Sequence, residues 1–121
     1  MKLGHATPIL RIFDEAKARA FYVDWLGFSI QFEPRFGPDM PLYLGLTRDG
    51  VELHLSEHHG DTTPGTRVRV SVDDIDALYS EIKSRPYKHL NPGPPNQQGW
   101  GERDLTLTDP FGNKLTFHEV R

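Results

Sequence analysis

The chain has 121 residues, of which 36% are hydrophobic and 26% charged, and its mean hydropathy is -0.56, as is typical of a single folded domain spanning 1–121. A net charge of -3 argues against nucleic acid as a partner, because phosphate binding requires a cationic surface. The chain has no cysteine, which excludes disulfides, thiolate metal sites and cysteine nucleophiles. No apolar run approaches membrane-spanning length and no cleavable leader is recognisable, so we expect a cytoplasmic protein without a membrane partner.

The first half-module, residues 1–60, predicts one helix among four strands. The helix lies near 14–26, with Asp14 as its N-cap and Gly27 after its end. Its buried face is predicted to contain Ala16, Ala20, Phe21 and Leu26. The strands are predicted around 6–12, 28–34, 41–47 and 51–57, and Arg48-Asp49-Gly50 is typical of a hairpin turn between the last two.

The second half-module, residues 61–121, repeats this plan. Strand 66–72 precedes a helix near 74–84 that is capped by Asp73 or Asp74. After a proline-rich loop, strands near 102–108 and 114–120 flank the turn at 109–113. A tandem βαβββ pattern predicts an α+β fold with an open, cup-shaped mixed sheet, because one helix covers only one sheet face in each half.

Strand alternation assigns residues to the two sheet faces. The apolar set, which should face the helices, is Leu10, Ile12, Leu53, Leu55, Val68, Val70, Leu105, Leu107, Leu115 and Phe117. The opposite face should carry Thr7, Ile9, Arg11, Glu52, His54, Arg67, Arg69, Thr106, Thr108, Thr116 and His118. This second set either faces water, as on any half-buried sheet, or lines a ligand cup.

Few motifs for chemistry stand out. Five side chains able to bind metal lie close together in the sequence, namely His54, Glu57, His58, His59 and Asp61. They could hold zinc, or they could form a solvated strand end and loop. Their spacing matches no closed zinc site. His118 could act as a general base, but no nucleophile, oxyanion motif or carboxylate pair accompanies it. No phosphate loop or dinucleotide fingerprint is present.

Apart from the possible metal ligands, the most distinctive motif in the sequence is Gly99-Trp100-Gly101. An indole between two glycines is typical of an exposed loop platform, and the alternative is that Trp100 packs over the end of the sheet.

The chain resembles the glyoxalase/bleomycin-resistance superfamily, also called vicinal oxygen chelate proteins, and more closely its bleomycin-resistance branch. The resemblance covers nearly the whole chain, and its most specific segments are ATP at 6–8, FYVDWLGF at 21–28, VDDIDALY at 72–79, WGERD at 100–104 and DPFGN at 109–113.

Enzymes of this superfamily hold a divalent ion at four matched strand positions. The resemblance carries these positions onto Thr7, His54 (with Glu52 as a near neighbour), Arg67 and Thr116. Only His54 is a competent ligand, since Arg67 places a positive charge where a cation should lie and threonine is a poor ligand. We therefore expect no metal, no cofactor and no catalytic residues.

In the bleomycin-resistance branch, two chains exchange N-terminal strands, helped by an early proline matched here by Pro8. The homodimer's two crevices bind and sequester two molecules of a cationic glycopeptide drug, and no reaction takes place. The resemblance implies a ligand site made of Trp100, Gly101, Phe32, Phe36, Glu52, His54, Arg67, Thr116 and His118. Carboxylates able to attract the drug's cationic tail are Glu33, Asp39, Glu52, Glu57 and Asp61. Four arginines, which suit an acidic ligand better, depart from this picture: Arg35, Arg67, Arg69 and Arg103.

The sequence therefore predicts a metal-independent protein that sequesters a bleomycin-type antibiotic and confers resistance. The alternative is a metal-dependent lyase, dioxygenase or isomerase that uses His54. A protein-interaction module with an empty cup is a third possibility, because a fold alone does not identify a function.

Overall fold

The computed structural model describes residues 1–34, 39–97 and 99–120, and of Val120 only the backbone. Its strands, in chain order, are β1 (Ile9–Arg11), β2 (Ser29–Phe32), β3 (Tyr43–Arg48), β4 (Val51–Ser56), β5 (Arg67–Ser71), β6 (Asn96–Gln97), β7 (Glu102–Thr108) and β8 (Lys114–Val120). Between β1 and β2, helix α1 (Glu15–Ala18) continues as a π-helical segment (Arg19–Trp25), and α2 (Ile75–Ser84) lies between β5 and β6. The predicted tandem βαβββ arrangement is confirmed. No helix in the described part of the chain is long and apolar enough to cross a bilayer.

The strands form two four-stranded sheets of the same plan, β1-β4-β3-β2 and β5-β8-β7-β6. In each sheet the first strand of the half runs parallel to the last, with Ile9 opposite His54 and Arg69 opposite Thr116. The other pairings are antiparallel. This repeated register gives both halves the same geometry, as the sequence repeat predicts.

The predicted bounds of β7 and β8 are confirmed, whereas the first strand is shorter than predicted. Residues 6–8 lie outside β1, where Pro8 has no N–H to extend the ladder, although its carbonyl accepts a hydrogen bond from His54 N at 3.0 Å. The two-residue strand β6 was not located by pattern, because it is short and follows the proline-rich loop.

Both helices begin at an aspartate cap. Asp14 Oδ1 accepts a 3.0 Å hydrogen bond from Lys17 N, and Asp74 Oδ1 accepts one of 3.0 Å from Ala77 N, so the second cap is Asp74 rather than Asp73. The hairpin turn is also confirmed: Asp49 and Gly50 have φ angles of 50° and 83°, as a two-residue turn requires.

The buried face predicted for the first helix is wrong in one respect: Ala16 is exposed, while Tyr22 and Trp25 are buried. The buried residues Ala18, Phe21, Tyr22 and Trp25 recur at the three- and four-residue spacing of a helix, so the buried face is centred on a different side of the helix than predicted. From Arg19 to Trp25 this helix is π-helical, and Leu26 N donates a hydrogen bond to Phe21 O, five residues earlier.

One hydrophobic core joins both halves and both helices. Its buried strand residues include most of the predicted helix-facing set, namely Leu10, Ile12, Leu53, Leu55, Leu105, Leu107, Leu115 and Phe117, while Val68 and Val70 are half-buried. Trp25 crosses between the halves by donating a 2.9 Å hydrogen bond to the carbonyl of Ile82. Because the apolar faces share this core, each sheet turns its polar face outward.

The turn at 109–113 is a structural junction as well as a hairpin. Asp109 Oδ1 accepts hydrogen bonds of 2.8 Å from the backbone N–H groups of Phe111 and Asn113. Asn113 Nδ2 reaches the carbonyl of Arg11 at 2.8 Å, so the second half's turn is tied to the end of β1. Gly112, at a φ of 90°, supplies the left-handed conformation that this turn needs.

Candidate functional site

The polar face of the second sheet carries four interacting side chains, Arg69, Trp100, Glu102 and His118, which we call the Glu102 cluster. The indole N–H of Trp100 donates a 2.6 Å hydrogen bond to Glu102 Oε2. Glu102 Oε1 accepts a hydrogen bond from Arg69 Nη2 and lies 2.9 Å from Nδ1 of His118. The two carboxylate oxygens are thus divided between the loop and the neighbouring strands.

These contacts favour the ionised carboxylate. The indole hydrogen bond, followed by the electrostatic effect of Arg69 and of the neighbouring His118 ring, lowers the pKa of Glu102 below its ordinary value. Glu102 therefore carries a negative charge at neutral pH, immediately beside the Trp100 ring.

Trp100 is 69% exposed and lies in a turn, which confirms the predicted exposed loop position. Gly101 follows it with a φ of 86°, a conformation that a residue with a Cβ adopts poorly. The chain's other tryptophan, Trp25, is 2% exposed, so only one indole is available to a ligand.

Next to this cluster on the same sheet face, Thr116 is buried beneath Arg67. Arg67 Nη1 donates a 3.2 Å hydrogen bond to Thr116 Oγ1, which also lies 2.9 Å from Thr106 Oγ1. Thr116 is 2% exposed, so Arg67 is the group that meets solvent at this position. Arg67 has no acidic partner among the described residues.

The polar face of the first sheet carries an aromatic group, made of Phe32, Tyr43 and His54. Tyr43 Oη lies 2.6 Å from His54 Nδ1, and the Phe32 ring meets the His54 ring edge-on with centroids 5.1 Å apart. Burial and the nearby charge of Asp61 raise the pKa of Tyr43, so its hydroxyl stays protonated. Phe32 lies flat against Gly45, where a Cβ would come within 2.3 Å of the ring.

Glu52 lies on this same face, closer to the N-terminus. It accepts a 3.4 Å hydrogen bond from Thr7 Oγ1, and His5 Nε2 lies 3.6 Å from its carboxylate. The first sheet therefore presents aromatic rings and a carboxylate, and the second presents an indole, a carboxylate and arginines.

A separate cleft of about 400 Å³ lies on the helix side of the second sheet, between the two halves. Its apolar walls are formed by Leu26, Phe28, Val51, Val70, Leu78 and Phe117, and the Arg48–Glu81 ion pair, 2.8 Å long, lies at its rim. By strand alternation this cleft is on the opposite side of the sheet from the Glu102 cluster.

Comparison with known proteins identifies the family. A family model described as "Glyoxalase superfamily protein" matches residues 1–121. The chain belongs to the glyoxalase superfamily. Its relatives place it in the bleomycin-resistance branch: it is 30% identical over 131 residues to the bleomycin resistance proteins of Geobacillus stearothermophilus and Staphylococcus aureus, covering 93% of each chain.

Solved structures agree with this assignment. A bleomycin-binding protein complexed with bleomycin is 27% identical with a TM-score of 0.74, covering 98% of this chain and 100% of that one. A bleomycin resistance determinant encoded on transposon Tn5 is also 27% identical, with a TM-score of 0.75 and coverage of 98% and 99%. TnmS3, an antibiotic binding protein from Streptomyces sp. CB03234, shares the fold at 23% identity and a TM-score of 0.77.

The superfamily's metal positions do not form a ligand set in this member. Among the described residues, no three His, Cys, Asp or Glu side chains are grouped so that they could hold a metal ion. His54 is the one competent ligand of the four, and its Nδ1 is engaged with Tyr43. The described residues at these positions therefore do not fit the superfamily's divalent ion.

The His-rich segment after β4 is used for local structure. Glu57 accepts a 2.8 Å hydrogen bond from Leu42 N, and Asp61 accepts one of 2.6 Å from Ser56 Oγ. Ser56 Oγ in turn accepts a 3.0 Å hydrogen bond from His58 N. These contacts support a strand end and loop rather than a zinc site.

The predicted site residues divide between the two sheets of one chain. Phe32, Glu52 and His54 lie on the first sheet, and Arg67, Trp100, Gly101, Thr116 and His118 lie on or beside the second. Phe36 lies outside the described residues. Sequence reasoning missed Glu102 and Tyr43. Alternation places Glu102 on the face shared by Thr106, and it places Tyr43 on the same face as Gly45, the partner of His54 two residues further along β3.

Proposed function

We propose that this protein is a metal-independent binding protein that sequesters a bleomycin-type glycopeptide antibiotic at a homodimer interface and so confers resistance. The observation that carries the proposal is the exposed, carboxylate-bonded indole of Trp100, in a chain 30% identical to bleomycin resistance proteins.

The chemistry of the two faces suits such a drug. A planar heteroaromatic group stacks on an indole face, and the Glu102 carboxylate beside the ring attracts a cationic substituent. Phe32 and Tyr43 add aromatic surface, and Glu52 adds a second carboxylate on the first sheet.

The four arginines noted in the sequence repel a cationic ligand less than the sequence alone indicates, because two of them are paired with carboxylates. Arg69 is paired with Glu102, and Arg103 makes two 2.8 Å hydrogen bonds to the Asp76 carboxylate. Arg35 lies outside the described residues. Arg67 is therefore the one described arginine of this group whose charge is free to meet a ligand.

A homodimer is part of the proposal, because the two faces belong to separate sheets with open edge strands. β1 and β5 each pair on one side only, and an uncovered edge of N–H and C=O groups favours association. A partner's first sheet facing the Glu102 cluster would complete a crevice. We place this dimer in the cytoplasm, because a chain without cysteine is compatible with a reducing compartment. Light scattering should give the mass of two chains at micromolar concentration, and a monomer would contradict this part.

The direct test is a calorimetric titration with metal-free bleomycin, followed in parallel by tryptophan fluorescence. We expect saturable binding of two drug molecules per dimer and quenching of the exposed indole. Because Trp25 is 2% exposed, the quenched signal should disappear in Trp100→Phe while the emission of Trp25 remains. Absence of binding by the parent protein would reject bleomycin as the ligand and leave the fold assignment intact.

A further inference from the structure

We propose that Glu102 is a positioning residue: its carboxylate, itself fixed by strands β5 and β8, holds the Trp100 ring in the orientation that receives a ligand. This inference rests on the proposed function for its consequence in binding, but the positioning itself concerns the protein alone.

Trp100 needs such a restraint. Its ring is 69% exposed, and the residue lies between two glycines outside any strand. In the described structure its ring contacts no other aromatic side chain. The hydrogen bond from its Nε1 to Glu102 is its polar contact with the rest of the described protein. An exposed indole without a partner would sample several rotamers, and a ligand would have to immobilise it on binding.

Glu102 is suited to supply the restraint because it is held from two other strands. Arg69 on β5 donates to Oε1, and His118 on β8 places Nδ1 2.9 Å from the same oxygen. The side chain of Glu102 is only 12% exposed, against 50% for Arg69. The carboxylate is therefore a fixed point of the sheet, and Oε2 remains to accept the indole N–H.

The direction of this hydrogen bond matters for recognition. Since the N–H edge of the indole points at Glu102, the two ring faces are not used by the bond, and the more exposed face is left for stacking. The charge of Glu102 also lies within hydrogen-bond distance of the ring edge, where it attracts a cationic group carried by the stacked ligand. Positioning and charge thus come from one side chain.

The other charged group near this face on β7 is Asp104, which lies opposite His118 in the strand register and has its own interactions. On β8 and β5, Lys114 and Arg67 lie further along the same face. In the described structure the indole N–H of Trp100 is bonded to Glu102 and to none of these side chains, which makes Glu102 the residue to alter.

The test measures time-resolved fluorescence anisotropy of Trp100 without ligand in the parent, Glu102→Leu and Glu102→Gln. The signal of Trp25 is subtracted with the matching Trp100→Phe variants. Leucine removes the acceptor, whereas glutamine keeps an oxygen that can accept the indole N–H. Glu52→Gln, which alters a carboxylate on the first sheet's face, is the control for the anisotropy alone, because Glu52 belongs to the proposed ligand site.

We expect fast local depolarisation of Trp100 to appear in Glu102→Leu, to be largely absent in Glu102→Gln, and to be absent in Glu52→Gln. Affinity for metal-free bleomycin should fall roughly tenfold in Glu102→Leu, the lower end of what a lost aromatic stack costs. Parent-like anisotropy in Glu102→Leu would overturn the proposal, and so would a mobile indole that binds the drug with parent affinity. If the parent binds no bleomycin, the proposed function fails, and the anisotropy comparison alone decides whether Glu102 positions Trp100.

Discussion

The phenol of Tyr22 donates a 2.6 Å hydrogen bond to Oδ2 of Asp109, a residue 87 positions further along the chain. Both residues are buried, and Asn113 Nδ2 donates to the same oxygen at 2.9 Å. The contact joins the π-helical segment of the first half to the turn between β7 and β8. It is therefore a link between the two half-modules rather than part of either.

We expect Tyr22→Phe to lower the free energy of unfolding by about 1–2 kcal/mol. The phenyl ring preserves the packing, but the buried Asp109 carboxylate loses one of its donors and keeps Asn113. Urea unfolding of both proteins measures the difference. Tyr79→Phe is the control, since Tyr79 is a half-buried residue whose hydroxyl makes no hydrogen bond among the described residues. An equal loss in both variants would contradict the assignment.

The same tyrosine should make stability fall at alkaline pH. Burial, followed by the charge of Asp109, raises the pKa of Tyr22 well above its ordinary value of 10.0. The folded state thus favours the neutral phenol, so its stabilising effect is complete below about pH 10 and is lost as the pH rises further. The loss measured by urea unfolding between about pH 8 and about pH 11 should be smaller in Tyr22→Phe. It should not vanish, because burial also raises the pKa values of Tyr43 and Tyr87.

Phe21→Ala should destabilise the protein by about 3–5 kcal/mol, the usual cost of emptying a buried phenylalanine site. Phe21 is 0% exposed, and its ring meets those of Tyr22, Trp25 and Tyr87 at centroid distances of 4.8, 5.5 and 5.9 Å. Thermal and urea unfolding measure the loss. Phe13→Ala, at a ring that is 56% exposed, should cost far less, and comparable losses would mean that Phe21 is not a core residue.

Trp100→Ala should weaken binding of metal-free bleomycin roughly tenfold to a hundredfold, because it removes the stacking surface. The unfolding midpoint should stay near that of the parent, since an exposed loop residue adds little to the core. Phe13→Ala is again the matched control: Phe13 packs on Phe111 at the opposite end of the β7–β8 hairpin and should not affect the drug. Normal binding combined with early melting in Trp100→Ala would show that the residue is structural.

Gly45→Ala should displace the Phe32 ring and weaken drug binding, although the substitution adds or removes no polar group. A Cβ at residue 45 would lie 2.3 Å from Phe32 Cε1, a distance that forces the ring away from the sheet. Calorimetric titration measures the affinity, with Gly93→Ala as control because a Cβ there meets no atom within 4 Å. Unchanged affinity in Gly45→Ala would remove Phe32 from the proposed crevice.

Local patterns in the sequence determined the secondary structure and the sheet faces. Alternating residues located β7 and β8, Asp49-Gly50 located a hairpin turn, and an aspartate marked the start of each helix. These features depend on residues close together in the chain. Their backbone preferences and their alternation are set locally and do not require contacts with distant residues. The quoted motifs likewise led to the superfamily, which the comparisons confirm.

Tertiary structure alone decided which side chains meet. Trp25 lies in the core, Asp109 accepts a hydrogen bond from Tyr22 of the other half, and Glu102 contacts side chains from a loop and two other strands. Alternation assigns a residue to a face, but it carries no information on which distant residue will lie opposite, because that depends on how sheets and helices pack. The predicted site residues were thus assigned to faces by the sequence, and the carboxylate that binds the exposed indole became visible only once β5, β7 and β8 lay side by side.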